Sequence, residues 1–61
     1  MIREFTRVTL THPVDAQGVH LPAGAHGVVV TVVADGRAYE VEFEQPGHVV
    51  VTVEAAALEI E

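Results

Sequence analysis

The chain contains no cysteine, lysine or serine, and its only aromatic residues are Phe5, Tyr39 and Phe43. Without cysteine there can be no disulfide and no thiolate–zinc site. Without serine or cysteine, the two commonest nucleophiles of covalent catalysis are missing. The lack of lysine leaves Arg3, Arg7 and Arg37 against nine acids, a net charge of −6. Such a balance repels phosphate backbones, which are gripped by clustered Lys and Arg, and suits a basic protein surface instead. No apolar run approaches the roughly 20 residues that cross a bilayer. Met1-Ile2-Arg3-Glu4-Phe5 has none of the apolar character of a secretory leader. The composition therefore predicts a soluble cytoplasmic protein with no membrane partner.

What is present is valine. The 61 residues make one domain, 1–61, and 49% of them are hydrophobic. A chain this short buries only about 60% of the surface that its unfolded form exposes. Disulfides being excluded, an aliphatic core must supply the stability, with Phe5, Tyr39 and Phe43 expected as its largest pieces. Valine is stiff at its first side-chain torsion and suits a pleated surface, so the expected class is all-β.

Phe5 to Thr11 alternates apolar and polar residues as a half-buried strand does, with an irregularity expected near Thr6. His12-Pro13 ends it. Residues 13 to 27 read as a long loop with a brief strand around Gly18 to Leu21 and a turn at Leu21-Pro22-Ala23-Gly24. Val28 to Ala34 is the next strand, and Asp35-Gly36 predicts a tight hairpin. Beyond it, Tyr39, Val41 and Phe43 face one way and Glu40, Glu42 and Glu44 the other. A slip of one residue would bury three carboxylates, so this register is strongly specified. Gln45-Pro46-Gly47 reads as a turn and His48 to Val53 as a strand. Glu54 to Ala57 is too short for a stable α-helix and predicts one helical turn, and Leu58 to Glu61 a closing strand.

These elements predict a small five-stranded SH3-like barrel with one short helical turn before the last strand. Closure would protect runs such as Val28-Val29-Val30-Thr31-Val32-Val33 from edge-to-edge aggregation. Leu21-Pro22-Ala23-Gly24-Ala25-His26-Gly27-Val28-Val29 resembles the glycine-punctuated segment of many such barrels. With Met1 to Phe5, Asp35-Gly36, Tyr39 to Phe43 and Leu58, the chain resembles bacterial domain-of-unknown-function family 4926. That resemblance implies a barrel without assigned catalytic residues and an antitoxin-like role beside a toxin-like partner. Similar barrels also include RNA-associated modules of the KOW type, whose basic residues this sequence lacks.

Few residues point to chemistry. Gly24 and Gly27 are not followed by the Lys-Ser/Thr of a phosphate loop and read as a diverging turn. His12, His20 and His26 are weak metal-ligand candidates at one loop-bearing end, without ligand spacing and with Asp15 as the nearest supporting carboxylate. Glu40, Glu42 and Glu44 repeat at about 7 Å along a strand, yet an exposed strand offers no pocket to separate their pKa values. No catalytic residues and no cofactor are expected.

The valines pose the sharper question. Whichever parity of residues 28 to 33 faces inward, valines are left on the other face unless a bulge bends the strand. Residues 49 to 53 repeat the problem at Val50. Outward valines beside the glutamates would form a protein contact surface, with Val29, Val33, Val50, Glu40, Glu42 and Glu44 as candidates. The partner is either a second copy, giving a homodimer, or a basic protein steered in by the acids. Nucleic acid binding and histidine-based metal binding are the alternatives.

Overall fold

A computed structural model describes residues 1–45 and 47–61, so the turn expected through Pro46 lies outside the described residues. Among the described residues, seven strands follow in chain order: β1 Arg7–Leu10, β2 Val14–Ala16, β3 Val19–Leu21, β4 His26–Val33, β5 Ala38–Phe43, β6 Val49–Glu54 and β7 Leu58–Ile60. A 3₁₀ turn, Ala55–Ala57, precedes β7 as expected. Five strands form one antiparallel sheet in the order β6-β5-β4-β1-β7, and β2 and β3 form a separate pair.

Neither sheet closes. Strands β6 and β7 are open edges of the large sheet, so the all-β class stands but the five-stranded SH3-like barrel is replaced by two open sheets. The reason lies in residues 13 to 27. Gln17 and Gly18 adopt left-handed φ values of 54° and 77°, the combination a tight two-residue hairpin turn requires. They fold the segment onto itself, pairing Val14 with Leu21, Asp15 with His20 and Ala16 with Val19. Strands β2 and β3 therefore pair with each other and not with β6 or β7.

The other turn also differs from expectation. Ala34, Asp35 and Gly36 all have positive φ, and the loop spans four residues between Val33 and Ala38. Asp35-Gly36 is therefore not a two-residue hairpin.

A bulge answers the question of the valines. Along β4 and β5, Val29 pairs with Val41 but Thr31 pairs with Glu40, leaving Val30 as the extra residue. Before it, odd positions of β4 face inward with Val41 and Phe43; after it, Val32 lies opposite buried Tyr39. The core comprises Val8, Leu10, Leu21, Val29, Tyr39, Val41, Phe43, Val51, Val53 and Ala57. Val14, Ala16 and Val19 of the small sheet pack against it from outside.

Phe5 is not part of that core. It is 76% exposed and has φ 66°. Its N–H donates to Val29 O while Val29 N–H donates to Thr6 O. Backbone pairing thus continues past the expected irregularity, but the left-handed residue keeps its ring outside. Tyr39 takes the opposite course. Its ring is buried and its hydroxyl accepts the Ile2 N–H at 2.8 Å, pinning the N-terminal segment.

Candidate functional site

The outer face of the large sheet carries the side chains that the core rejects. Register places Val50, Glu42, Val28 and Arg7 in one cross-strand row and Thr52, Glu40 and Thr31 in the next. A third row holds Glu54, Ala38 and Val33. The valines do not form a continuous strip: Glu42 stands between Val50 and Val28, and Val33 lies beyond the Glu40 row. Glu40 and Glu42 are half-buried, whereas Glu44 is exposed beyond the end of β5. Val50 is 46% exposed and Val33 half-buried on this face. Val29 is fully buried, so it belongs to the interior and not to a contact surface.

Hydrogen-bond alternation fixes what β6 offers at its edge. Val29 bonds toward the β1 side, so Val28 bonds toward β5 and Glu42 returns toward β4. Val41 and Phe43 then face β6. Ala55 N–H donating to Arg37 O at 2.9 Å keeps the same phase at the far end. Successive residues alternate, so Val50, Thr52 and Glu54 direct their N–H and C=O groups to the open edge. Thr52 N–H meets only the Gln17 Oε1 acceptor, at 3.4 Å. Between β6 and the small sheet lies a groove of about 230 Å³, bordered by His12, Asp15, Thr52 and Glu54 among others.

A second cluster, on β1, β4 and the last residue, has no counterpart in the sequence analysis. Glu61 Oε2 lies 2.5 Å from His26 Nδ1 and accepts the Thr9 hydroxyl at 3.0 Å, while its Oε1 lies 3.6 Å from Arg7 Nε. These contacts, led by the His26 hydrogen bond, hold the Glu61 carboxyl below its ordinary value. The only sequence signal is the register that brings residues 7, 9, 26 and 61 onto one face. Thr, His and Glu evoke a catalytic triad, but the geometry does not build one. A relay needs the carboxylate on one ring nitrogen and the nucleophile on the other. Here Thr9 Oγ1, at 3.4 Å, and Glu61 both address Nδ1.

The histidines are dispersed in part. His12 lies beside the β6 groove and His48 lies 3.8 Å from Glu42. His20 and His26 share another groove, of about 320 Å³, with Pro22, Ala25 and Gln45. Among the described residues, no three His, Asp or Glu side chains are grouped to hold a metal ion. Among the described residues, no helix is long and apolar enough to cross a membrane.

Comparison with protein-family models, with curated proteins and with solved structures finds no match. The resemblance to family 4926 is therefore corrected: no family model supports it, and the open sheets lack the closed barrel it implied.

Proposed function

We propose that this chain is a non-enzymatic protein-interaction module that adds an extended segment of a basic protein to its β6 edge. The observation that carries this reading is the edge itself. Backbone groups of Val50, Thr52 and Glu54 face outward there, beside the exposed Val50 side chain. Main-chain pairing of this kind supplies affinity, while alternate side chains supply selectivity. Glu40, Glu42 and Glu54 surround the edge and make a cationic strand the complementary occupant. The groove beside β6 is smaller than the roughly 300–1,000 Å³ typical of small-molecule sites, which favours a strand over a metabolite.

A second copy is the weaker occupant, because each chain carries −6 and pairing β6 with itself would bring the acids together. Nucleic acid is disfavoured by the same charge, and Arg7 already lies against Glu61. The antitoxin-like version rested on the family resemblance and is not carried forward. The cytoplasm is proposed as the compartment shared with the partner, to be checked by cell fractionation.

An end-blocked hexapeptide alternating lysine and valine is the probe. The expected result is binding that weakens with salt, disturbs the β6 amides, and is reduced in Val50→Pro and in Glu40→Gln/Glu42→Gln. Proline is tolerated at sheet edges, so Val50→Pro removes one outward N–H without touching the β5 ladder. Equal binding of a glutamate–valine peptide, or perturbation confined to another surface, would refute the proposal. Concentration-dependent dimerisation through the β6 amides would transfer the edge to self-association.

A further inference from the structure

Strand β6 lacks most of the devices that protect a sheet edge. Natural edges are kept from unwanted pairing by shortness, by lysine or proline, by a bulge, or by a covering segment. At the opposite edge, β7 has only three residues. β6 has six, Val-Val-Val-Thr-Val-Glu, without lysine or proline. Its register against β5 runs from Ala38↔Glu54 to Phe43↔Val49 with no shift. Left bare, a run so rich in valine templates aggregation. The β2–β3 hairpin lies beside it, with Val14 and Ala16 bordering the same groove as Thr52 and Val53.

Gln17 reaches the edge from the tip of that hairpin. Its Oε1 accepts the Thr52 N–H, the central one of the three outward groups, at 3.4 Å. The two-residue turn favours asparagine before glycine, yet Gln17 holds the position with φ 54°. Asparagine would suit the backbone better, but its side chain is one methylene shorter. We infer that Gln17 is a guard of the β6 edge, whose amide holds the Thr52 N–H until the carbonyl of an added strand takes it over. This rests on the reading of β6 as a docking edge and adds a threshold to it.

The contact is suited to exchange. Gln17 and Thr52 are both exposed, so their hydrogen bond competes with water and contributes little. No backbone pairing joins the hairpin to β6. A cationic strand brings a carbonyl to the same point, together with its own ladder and its attraction to Glu40, Glu42 and Glu54. A second acidic copy brings the ladder and the repulsion. Displacing Gln17 therefore widens the difference between the complementary strand and the wrong one.

The test compares the unmodified chain with Gln17→Asn and Gln17→Gly. Asparagine improves the turn, and glycine accepts the same φ with no side chain, so neither substitution should unfold the hairpin. Amide exchange without peptide should quicken at Thr52 and stay unchanged at Val49, Val51 and Val53. The lysine–valine hexapeptide should bind about two- to fivefold more tightly to both variants, and self-association should begin at lower protein concentration. Gln45→Asn, away from the edge, is the control and should change none of these. Unchanged Thr52 exchange and equal peptide affinity in Gln17→Gly would overturn the guard while leaving the docking edge in place. If neither the unmodified chain nor the variants bind the peptide at millimolar concentration, the docking edge fails. Thr52 exchange and the onset of self-association then decide the guard, and no change in either would overturn it.

Discussion

Replacing Gly27 by alanine tests the packing of β4 against β5. A Cβ at this position would meet Val41 Cγ1 at 2.6 Å, Glu42 O at 2.9 Å and Phe43 Cδ1 at 3.0 Å. The valine methyl can rotate, but the carbonyl belongs to the strand paired through Gly27↔Phe43 and Val28↔Glu42. Relief therefore requires β4 to move away from β5, loosening the pairing at the centre of the sheet. Overpacking of this kind costs about 1–3 kcal/mol. Alanine recovers roughly 0.5–1 kcal/mol by restricting the unfolded chain. A net loss of about 1–2 kcal/mol follows, against a total stability of about 3–9 kcal/mol for a chain this long. In a thermal melt followed by circular dichroism, that corresponds to a drop of about 5–15 °C. Gly47→Ala is the matched control, because nothing lies within 4 Å of its added Cβ. The reasoning fails if Gly27→Ala melts with the unmodified protein, or if Gly47→Ala falls as far.

Three further outcomes follow from particular contacts. Tyr39→Phe removes the acceptor of the Ile2 N–H and should cost about 0.5–1.5 kcal/mol in chemical denaturation, with earlier cleavage of the N-terminal segment by an aminopeptidase. Gly18→Ala has open space around it but a φ of 77°, so it should lose about 1–2 kcal/mol through backbone strain alone. Glu61 is depressed by His26, Thr9 and Arg7, so its contribution to stability is complete above the ordinary value of 4.5 and is lost as pH falls through the lower folded value. Denaturation of Glu61→Gln beside the unmodified chain should show a gap that is constant at neutral pH and narrows in acid; a gap that widens in acid would contradict this.

How much was legible in the sequence depends on the range of the interaction that decides each feature. The strand Tyr39 to Phe43 could be read because three carboxylates forbid a slip, and the inward set is Tyr39, Val41 and Phe43. The hairpin at Gln17-Gly18 has no local signature, because glutamine is not a usual left-handed residue and Val14 to Ala16 is too short to show alternation. Asp35-Gly36 carried the stronger local signal, yet Ala34 joins it in left-handed geometry and lengthens the loop. Hydrophobicity alone places Phe5 in the core, whereas its backbone conformation turns the ring outward. The need for a bulge was evident from a valine run too apolar for one face, although its place at Val30 depended on pairing with β5. At the candidate site, the outward Glu40, Glu42 and Val50 followed from period two. The pairing of His26 with Glu61, and of His20 with Asp15, depended on register across strands that local pattern does not encode.

The open β6 edge is the central claim, and amide hydrogen exchange in the isolated monomer tests it most directly. The account predicts alternation along one strand: slow exchange at Val49, Val51 and Val53, which bond to β5, and fast exchange at Val50 and Glu54, with Thr52 only weakly protected by Gln17. Uniform protection from Val49 to Glu54 at concentrations where the chain is monomeric would mean that the edge is paired. The sheet would then be closed, and the proposed docking strand would have nowhere to add.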